Sequence, residues 1–165
     1  MSLPPGHTIR RPRESDHPAI VEAIPRWWDV PNSDRLVLLM PRLFLQHFTS
    51  TSWVVEAESG ELGAFLVGFR SADKPELSYI HFVGVDPELR NQGIARILYE
   101  RFFEQAKASG CTEVRAITGP ANRRSQEFHM AMGFETRGDE SVDGVLAYKD
   151  YDGPGEHRVV FVRAL

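Results

Sequence analysis

Apolar residues recur along this chain first at one spacing and then at another, and each change of period marks an element. Thr8–Arg11 reads as a short first strand. Glu14-Ser15-Asp16 then offers capping groups for a helix carrying Ile20, Val21 and Ile24, which Pro25 is expected to end or kink. Trp27-Trp28 falls in a loop punctuated by Pro31 and Asn32, and a second helical stretch runs from Leu36 to Phe48, interrupted at Pro41. Thr51–Glu58 and Leu62–Arg70, joined across Ser59-Gly60, predict a hairpin, and Leu77–Val85 a long strand rich in β-formers. From Gly93 to Ser109 the pattern turns helical, with Ile94, Ile97, Leu98, Phe102 and Ala106 on one face and Gly110 as a stop signal. Glu113–Thr118 is a short strand and Asn122–Met132 a short helix ended by Gly133. Beyond Phe134 we expect one strand, an irregular Gly-rich stretch around Asp152-Gly153-Pro154-Gly155, and a last strand at Arg158–Arg163. The order predicts an α/β (α+β) chain with a mixed sheet and helices on both faces.

Composition narrows the function classes. At 165 residues, 42% hydrophobic and 25% charged, the chain suits a single domain over residues 1–165 with one core. The net charge of −4 and the absence of a long Lys/Arg run argue against a nucleic-acid partner. No stretch is long and apolar enough for a membrane span, and the first residues lack the pattern of a signal peptide. Cys111 is the only cysteine, which excludes an intrachain disulfide and Cys-based metal clusters. We expect a cytoplasmic protein that uses no metal.

The most informative segment is Val83-Gly84-Val85-Asp86-Pro87-Glu88-Leu89-Arg90-Asn91-Gln92-Gly93-Ile94-Ala95. A strand ends, a short loop follows and a helix opens. The first turn of a helix has backbone N–H groups without a helical partner, and the helix dipole adds partial positive charge there. Gly93 and Ala95 are small, so an anion can approach the backbone of Asn91, Gln92, Gly93, Ile94, Ala95 and Arg96, a ready diphosphate cradle. The lysine and hydroxyl of a P-loop are missing, and so are the three glycines of a Rossmann fingerprint. The second informative segment runs from Asn122 to Phe134. Asn122, Ser125 and His129 form one polar stripe at helical spacing, with Phe128, Ala131 and Met132 as apolar contacts around it. Such a helix suits a cleft wall or, equally, a solvated face.

Arg90-x-x-Gly93-x-Ala95 after a strand resembles the acyl-CoA-binding motif of the GNAT superfamily. The stretch from Asn122 through Ser125 and His129 to Gly133-Phe134 resembles its second diagnostic segment. The resemblance implies a mostly antiparallel sheet of about six or seven strands flanked by about four helices, with a splayed strand pair forming an acyl-CoA cleft. It also implies acetyl-CoA or coenzyme A as cosubstrate, and the primary amine of a small molecule or peptide as acceptor. Homodimers are frequent in the superfamily, so a second copy of the chain is an expected partner. The backbone of Val83, Gly84 and Val85 would hold the pantetheine amides, and an N–H near Val83 would face the thioester carbonyl.

Tyr79 and His81 lie on the same strand face as Val83 and Val85, and the resemblance implies that this part of the strand points towards the acceptor. His81 is the candidate base, because imidazole accepts protons near neutral pH. His129 stands where many members have a tyrosine that protonates the thiolate; it can act as that acid or only as a hydrogen-bonding group. Arg90, Arg96, Arg123 and Arg124 are candidates for the phosphates. Trp27, Trp28, Phe44, His47 and Phe48 suit an acceptor site or a core, and Glu76 and Asp86 could steer a cation. Three readings stay open: an N-acetyltransferase, a CoA-binding sensor or regulatory module without turnover, and an unrelated phosphate-binding fold.

Overall fold

The computed structural model describes residues 1–165. In chain order it holds β1 (His7–Arg10), a 3-10 turn (Glu14–Asp16), α1 (His17–Trp27), a 3-10 segment (Ser33–Leu39), α2 (Leu43–His47), β2 (Trp53–Ala57), β3 (Leu62–Arg70) and β4 (Leu77–Val85). A 3-10 turn (Pro87–Leu89), α3 (Ile94–Ala108), β5 (Glu113–Thr118) and α4 (Arg123–Ala131) follow. The chain ends with β6 (Glu135–Arg137), β7 (Glu140–Val142), β8 (Val145–Ala147) and β9 (Val159–Ala164). Seven strands form one sheet in the order β1-β2-β3-β4-β5-β9-β6, and β7-β8 is a separate two-stranded ribbon. The pairings are antiparallel at β1-β2, β2-β3, β5-β9 and β6-β9, and parallel at β4-β5. A parallel pair cannot be joined by a tight turn, and α3 supplies the crossover. The β4-β5 ladder joins Leu77, Ser78 and Tyr79 to Glu113, Val114 and Arg115, and ends there.

The chain groups into two compact units, Met1–Phe69 with Ile80–Gln105, and Arg70–Tyr79 with Ala106–Leu165. In the first, α1 buries Ile20, Ala23, Ile24 and Trp27, one stripe at helical spacing, among Met40, Leu45, Val54, Phe65 and Val67. Of the two outcomes expected at Pro25, an end or a kink, the helix does not end there. The proline sits in the last turn, where its missing N–H removes one bond, and the helix runs on to Trp27. Trp27 is therefore helical, not in a loop; it is 4% exposed and stacks on Phe65 at 5.9 Å. Burying that indole outweighs the lost hydrogen bond, since truncating a buried Trp costs about 3–5 kcal/mol.

In the second unit β5 pairs with β9 along its whole length, and β6 lies on the other side of β9. Val114, Ala116, Val159 and Phe161 are buried there. The β7-β8 hairpin was not expected: the sequence predicts one strand between Phe134 and the Gly-rich stretch around residues 152–155, and the structure adds this ribbon beside β6. Asp143 and Gly144 have φ of 51° and 79°, the two left-handed residues that a tight hairpin turn needs. Val142-Asp143-Gly144-Val145 carried that signal.

Candidate functional site

In the first unit, Ile80 and Gly84 of the strand Ile80–Val85 are buried, while His81, Val83 and Val85 on the other face, and also Phe82, are partly open. Gly84 has a packing reason to be glycine: a Cβ would stand 2.7 Å from ring atoms of Phe65 and Trp28. It can serve a ligand only through its backbone. Asp86 accepts the Glu88 N–H at 2.9 Å and so starts the turn rather than reaching outward.

Arg90 spends its guanidinium on the chain itself. Its Nε donates to the Val85 carbonyl at 3.2 Å and its Nη2 to the Trp27 carbonyl, tying the turn to the end of α1. Asn91 and Gly93 both take left-handed conformations, φ 62° and 81°, which swing the chain into α3. The Ile97 N–H reaches the Gly93 carbonyl at 3.0 Å, which leaves the N–H groups just ahead of it as the open first turn. The Met1 side chain rests against Gly93, where a Cβ would stand. Gln92 bonds the Glu88 carbonyl at 3.3 Å, and Arg96 makes an exposed pair with Glu100 at 3.7 Å.

His81 is held at two points. Its Nε2 lies 2.5 Å from the Leu39 carbonyl, and its ring stacks on Phe44 at 4.2 Å and 15°. A carbonyl only accepts, so Nε2 carries the hydrogen and Nδ1 holds the lone pair. Burial holds the imidazole below its ordinary pKa, with the Leu39 carbonyl pulling the other way. The ring is neutral near pH 7, with Nδ1 able to accept a proton. Of the early aromatics, Trp27 belongs to the core, Trp28 packs on Phe82 at 5.1 Å, and Phe48 packs on Phe44 and Phe69.

In the second unit, burial pushes the Tyr79 hydroxyl up to about 12, and Tyr151 and Asp152 add to the shift. The phenol keeps its proton at neutral pH. Arg158 binds Asp152 at 2.8 Å and Glu156 at 2.9 Å, ordering the loop that carries Tyr151. The sequence marked that loop only as Gly-rich.

The polar stripe of α4 behaves differently from a wet cleft wall. Asn122 caps the helix by accepting the Ser125 N–H at 3.1 Å. His129 is 6% exposed and lies parallel to Phe161 at 4.1 Å and 4°, with Phe134 edge-on. Its Nδ1 is 2.7 Å from the Ser125 carbonyl, so Nδ1 carries the hydrogen and Nε2 the lone pair. Burial pushes it down to about 4, the Ser125 carbonyl opposing. Ala131 is exposed rather than an apolar contact, and Phe128 is half-buried. Arg123 donates to the Asp143 carbonyl at 2.7 Å and so braces the β7-β8 turn; Arg124 is exposed. No group of three or more His, Cys, Asp or Glu could hold a metal ion. No helix is long and apolar enough to cross a membrane.

The chain is similar to an N-acetyltransferase of Methanocaldococcus jannaschii, 36% identical over 74 residues, 45% of this chain and 32% of that protein. It is 28% identical to the L-2,4-diaminobutyric acid acetyltransferase of Vibrio parahaemolyticus, over 71% of this chain and 62% of that one. The matches thus span less than two thirds of these relatives' own lengths. Its fold is that of the diaminobutyrate acetyltransferase from Paenibacillus lautus, a structure holding L-2,4-diaminobutyric acid and coenzyme A, with a TM-score of 0.64 at 23% identity over 96% of this chain and 94% of that one. The sequence profile of the Acetyltransferase (GNAT) family matches residues 18–134, through both units. With its mostly antiparallel seven-stranded sheet and four helices, this chain belongs to the GNAT family of acetyltransferases.

Proposed function

We propose that the chain transfers an acetyl group directly from acetyl-CoA to the primary amine of a small molecule or peptide. The observation that carries this reading is the open first turn of α3. Two left-handed residues set the turn, and the amides ahead of Ile97 stand at the positive end of a helix dipole without a helical partner, with only the flexible Met1 side chain resting against Gly93. That turn fits a diphosphate, and the backbone of Val83, Gly84 and Val85 just before it suits the amides of a pantetheine arm.

Acetyl-CoA supplies an acyl carbon whose C–S bond is exchanged for a C–N bond. An alkylammonium must lose a proton before it can attack, and His81 Nδ1 is suited to take it. The thiolate must gain a proton. The proton that His81 takes from the ammonium balances the one that the thiolate gains, directly or through solvent. His129 acts here by position: its one ring hydrogen is committed to the Ser125 carbonyl, which favours a hydrogen-bonding role over that of an acid. The relatives that acetylate diaminobutyric acid support a small, cationic acceptor.

The test is thiol release from acetyl-CoA across a panel that includes 2,4-diaminobutyrate, an aminoglycoside and a peptide with a free N-terminus. Release with at least one amine, with the acetylated product seen by mass spectrometry, is the expected result. Tight acetyl-CoA binding with no release across the panel would replace this reading with a CoA-binding regulatory module.

A further inference from the structure

We infer that His17 is a positioning residue for His81, acting through the backbone of Leu39 and Met40. The inference rests on the reading of His81 as the proton acceptor and adds a residue to it.

His17 opens α1, and its Nε2 lies 2.8 Å from the Met40 carbonyl, so it donates there. Met40 is held at two further points. Its side chain is 1% exposed, in the cluster with Ile20, Ile24 and Trp27, and its N–H donates to the Val37 carbonyl at 3.0 Å. Pro41 follows, and Met40 sits at φ −123° and ψ 58°, away from the extended backbone that a residue before proline favours. Held contacts on both sides are what keep it there. The peptide linking Leu39 to Met40 lies between these anchors, and its oxygen is the acceptor of His81 Nε2 at 2.5 Å.

Two imidazoles therefore grip two successive carbonyls, His81 on Leu39 and His17 on Met40. The grip on Met40 fixes the direction of the Leu39 carbonyl. That carbonyl decides which ring nitrogen of His81 carries the hydrogen, and so which one offers a lone pair. Without the His17 grip the Met40–Pro41 segment can relax, the Leu39 oxygen can turn, and His81 divides between tautomers. Phe44 keeps the ring plane in place but is indifferent to the tautomer.

The direct measurement is the His81 tautomer, read from long-range 1H–15N correlations of the labelled full chain at pH 8. The wild type is expected to show the Nε2–H form alone. His17→Ala and His17→Asn, whose amide is too short to reach Met40, are expected to show both forms. His17→Gln, which places an N–H near the original Nε2, is expected to restore one. With an amine that the wild type acetylates, His17→Ala should lower kcat about tenfold at little change in KM for acetyl-CoA, with His17→Gln close to wild type. A single Nε2–H tautomer retained in both His17→Ala and His17→Asn overturns the inference. If His17→Ala does not fold, His17→Asn decides, since Asn is well tolerated at a helix start. His81→Ala separates the two levels. Wild-type turnover in that variant sinks the proton-acceptor reading itself, whereas lost turnover with an unmoved tautomer in the His17 variants sinks only the role of His17.

Discussion

Two histidines, one on β4 and one on α4, are both neutral near pH 7, yet their surroundings equip them for different work. His81 is tethered by a carbonyl 42 positions away in the chain, and His129 by one four positions back in its own helix. His81 therefore keeps its tautomer only while the 3-10 segment before α2 stays in place. His129 keeps its own as long as α4 is folded and Phe161 covers it. The first is adjustable and half-open; the second is sealed among aromatic rings. A proton acceptor needs the former setting and a structural hydrogen-bonding group the latter.

The sharpest way to break this contrast is to delete each ring. His81→Ala should lower acetyl transfer about 100-fold or more, the usual range for a positioned base, while His129→Phe should cost tenfold or less as ~1 kcal/mol of lost positioning. Steady-state rates with one accepted amine decide it, and the reverse order would exchange the two assignments.

Acid stability sharpens the same contrast. The folded state holds His129 near 4, below the unfolded value of about 6.5, so protonation favours unfolding. The stabilisation is complete above about pH 6.5 and is lost as pH falls towards 4, on the order of 3 kcal/mol in all. Urea unfolding at pH 7.5 and 4.5 should show that loss in the wild type and a smaller one in His129→Phe. Equal losses would mean the ring is not sealed.

Smaller effects belong to the turn at α3. Gly93→Ala forces a Cβ into a left-handed backbone at φ 81°, a cost of about 1–2 kcal/mol, so acetyl-CoA affinity by calorimetry should fall about tenfold. Arg96→Ala removes one exposed pair with Glu100 and should move stability by less than about 0.5 kcal/mol. A much larger loss of acetyl-CoA affinity in that variant would place Arg96 among the phosphate contacts.

Much of the fold was legible because local signals agreed with burial. Leu62–Arg70, Leu77–Val85 and Glu113–Thr118 were strands with the bounds read from their β-formers, and the face Ile94, Ile97, Leu98, Phe102 is buried as its spacing required. The misreadings have physical causes too. Pro25 was expected to end or kink α1, and the helix does not end there, because Trp27 buries enough apolar surface to carry it two residues further. The β7-β8 hairpin was missed although Asp143-Gly144 announced it, because its strands are only three residues each. At the site, the turn from Asn91 to Arg96 was visible in residue types. The tie of Arg90 to Trp27 was not, since its partner lies 63 positions away.

By itself the sequence determined the period of each element, the glycine at the head of α3 and the presence of imidazoles at 81 and 129, since these depend on residue type and near neighbours. Only the tertiary structure decided which nitrogen of His81 keeps its hydrogen, through a carbonyl 42 positions away. It also decided that His17, unremarked in the sequence, shares a backbone segment with His81. Those outcomes hang on carbonyl directions, and a carbonyl points where distant packing leaves it.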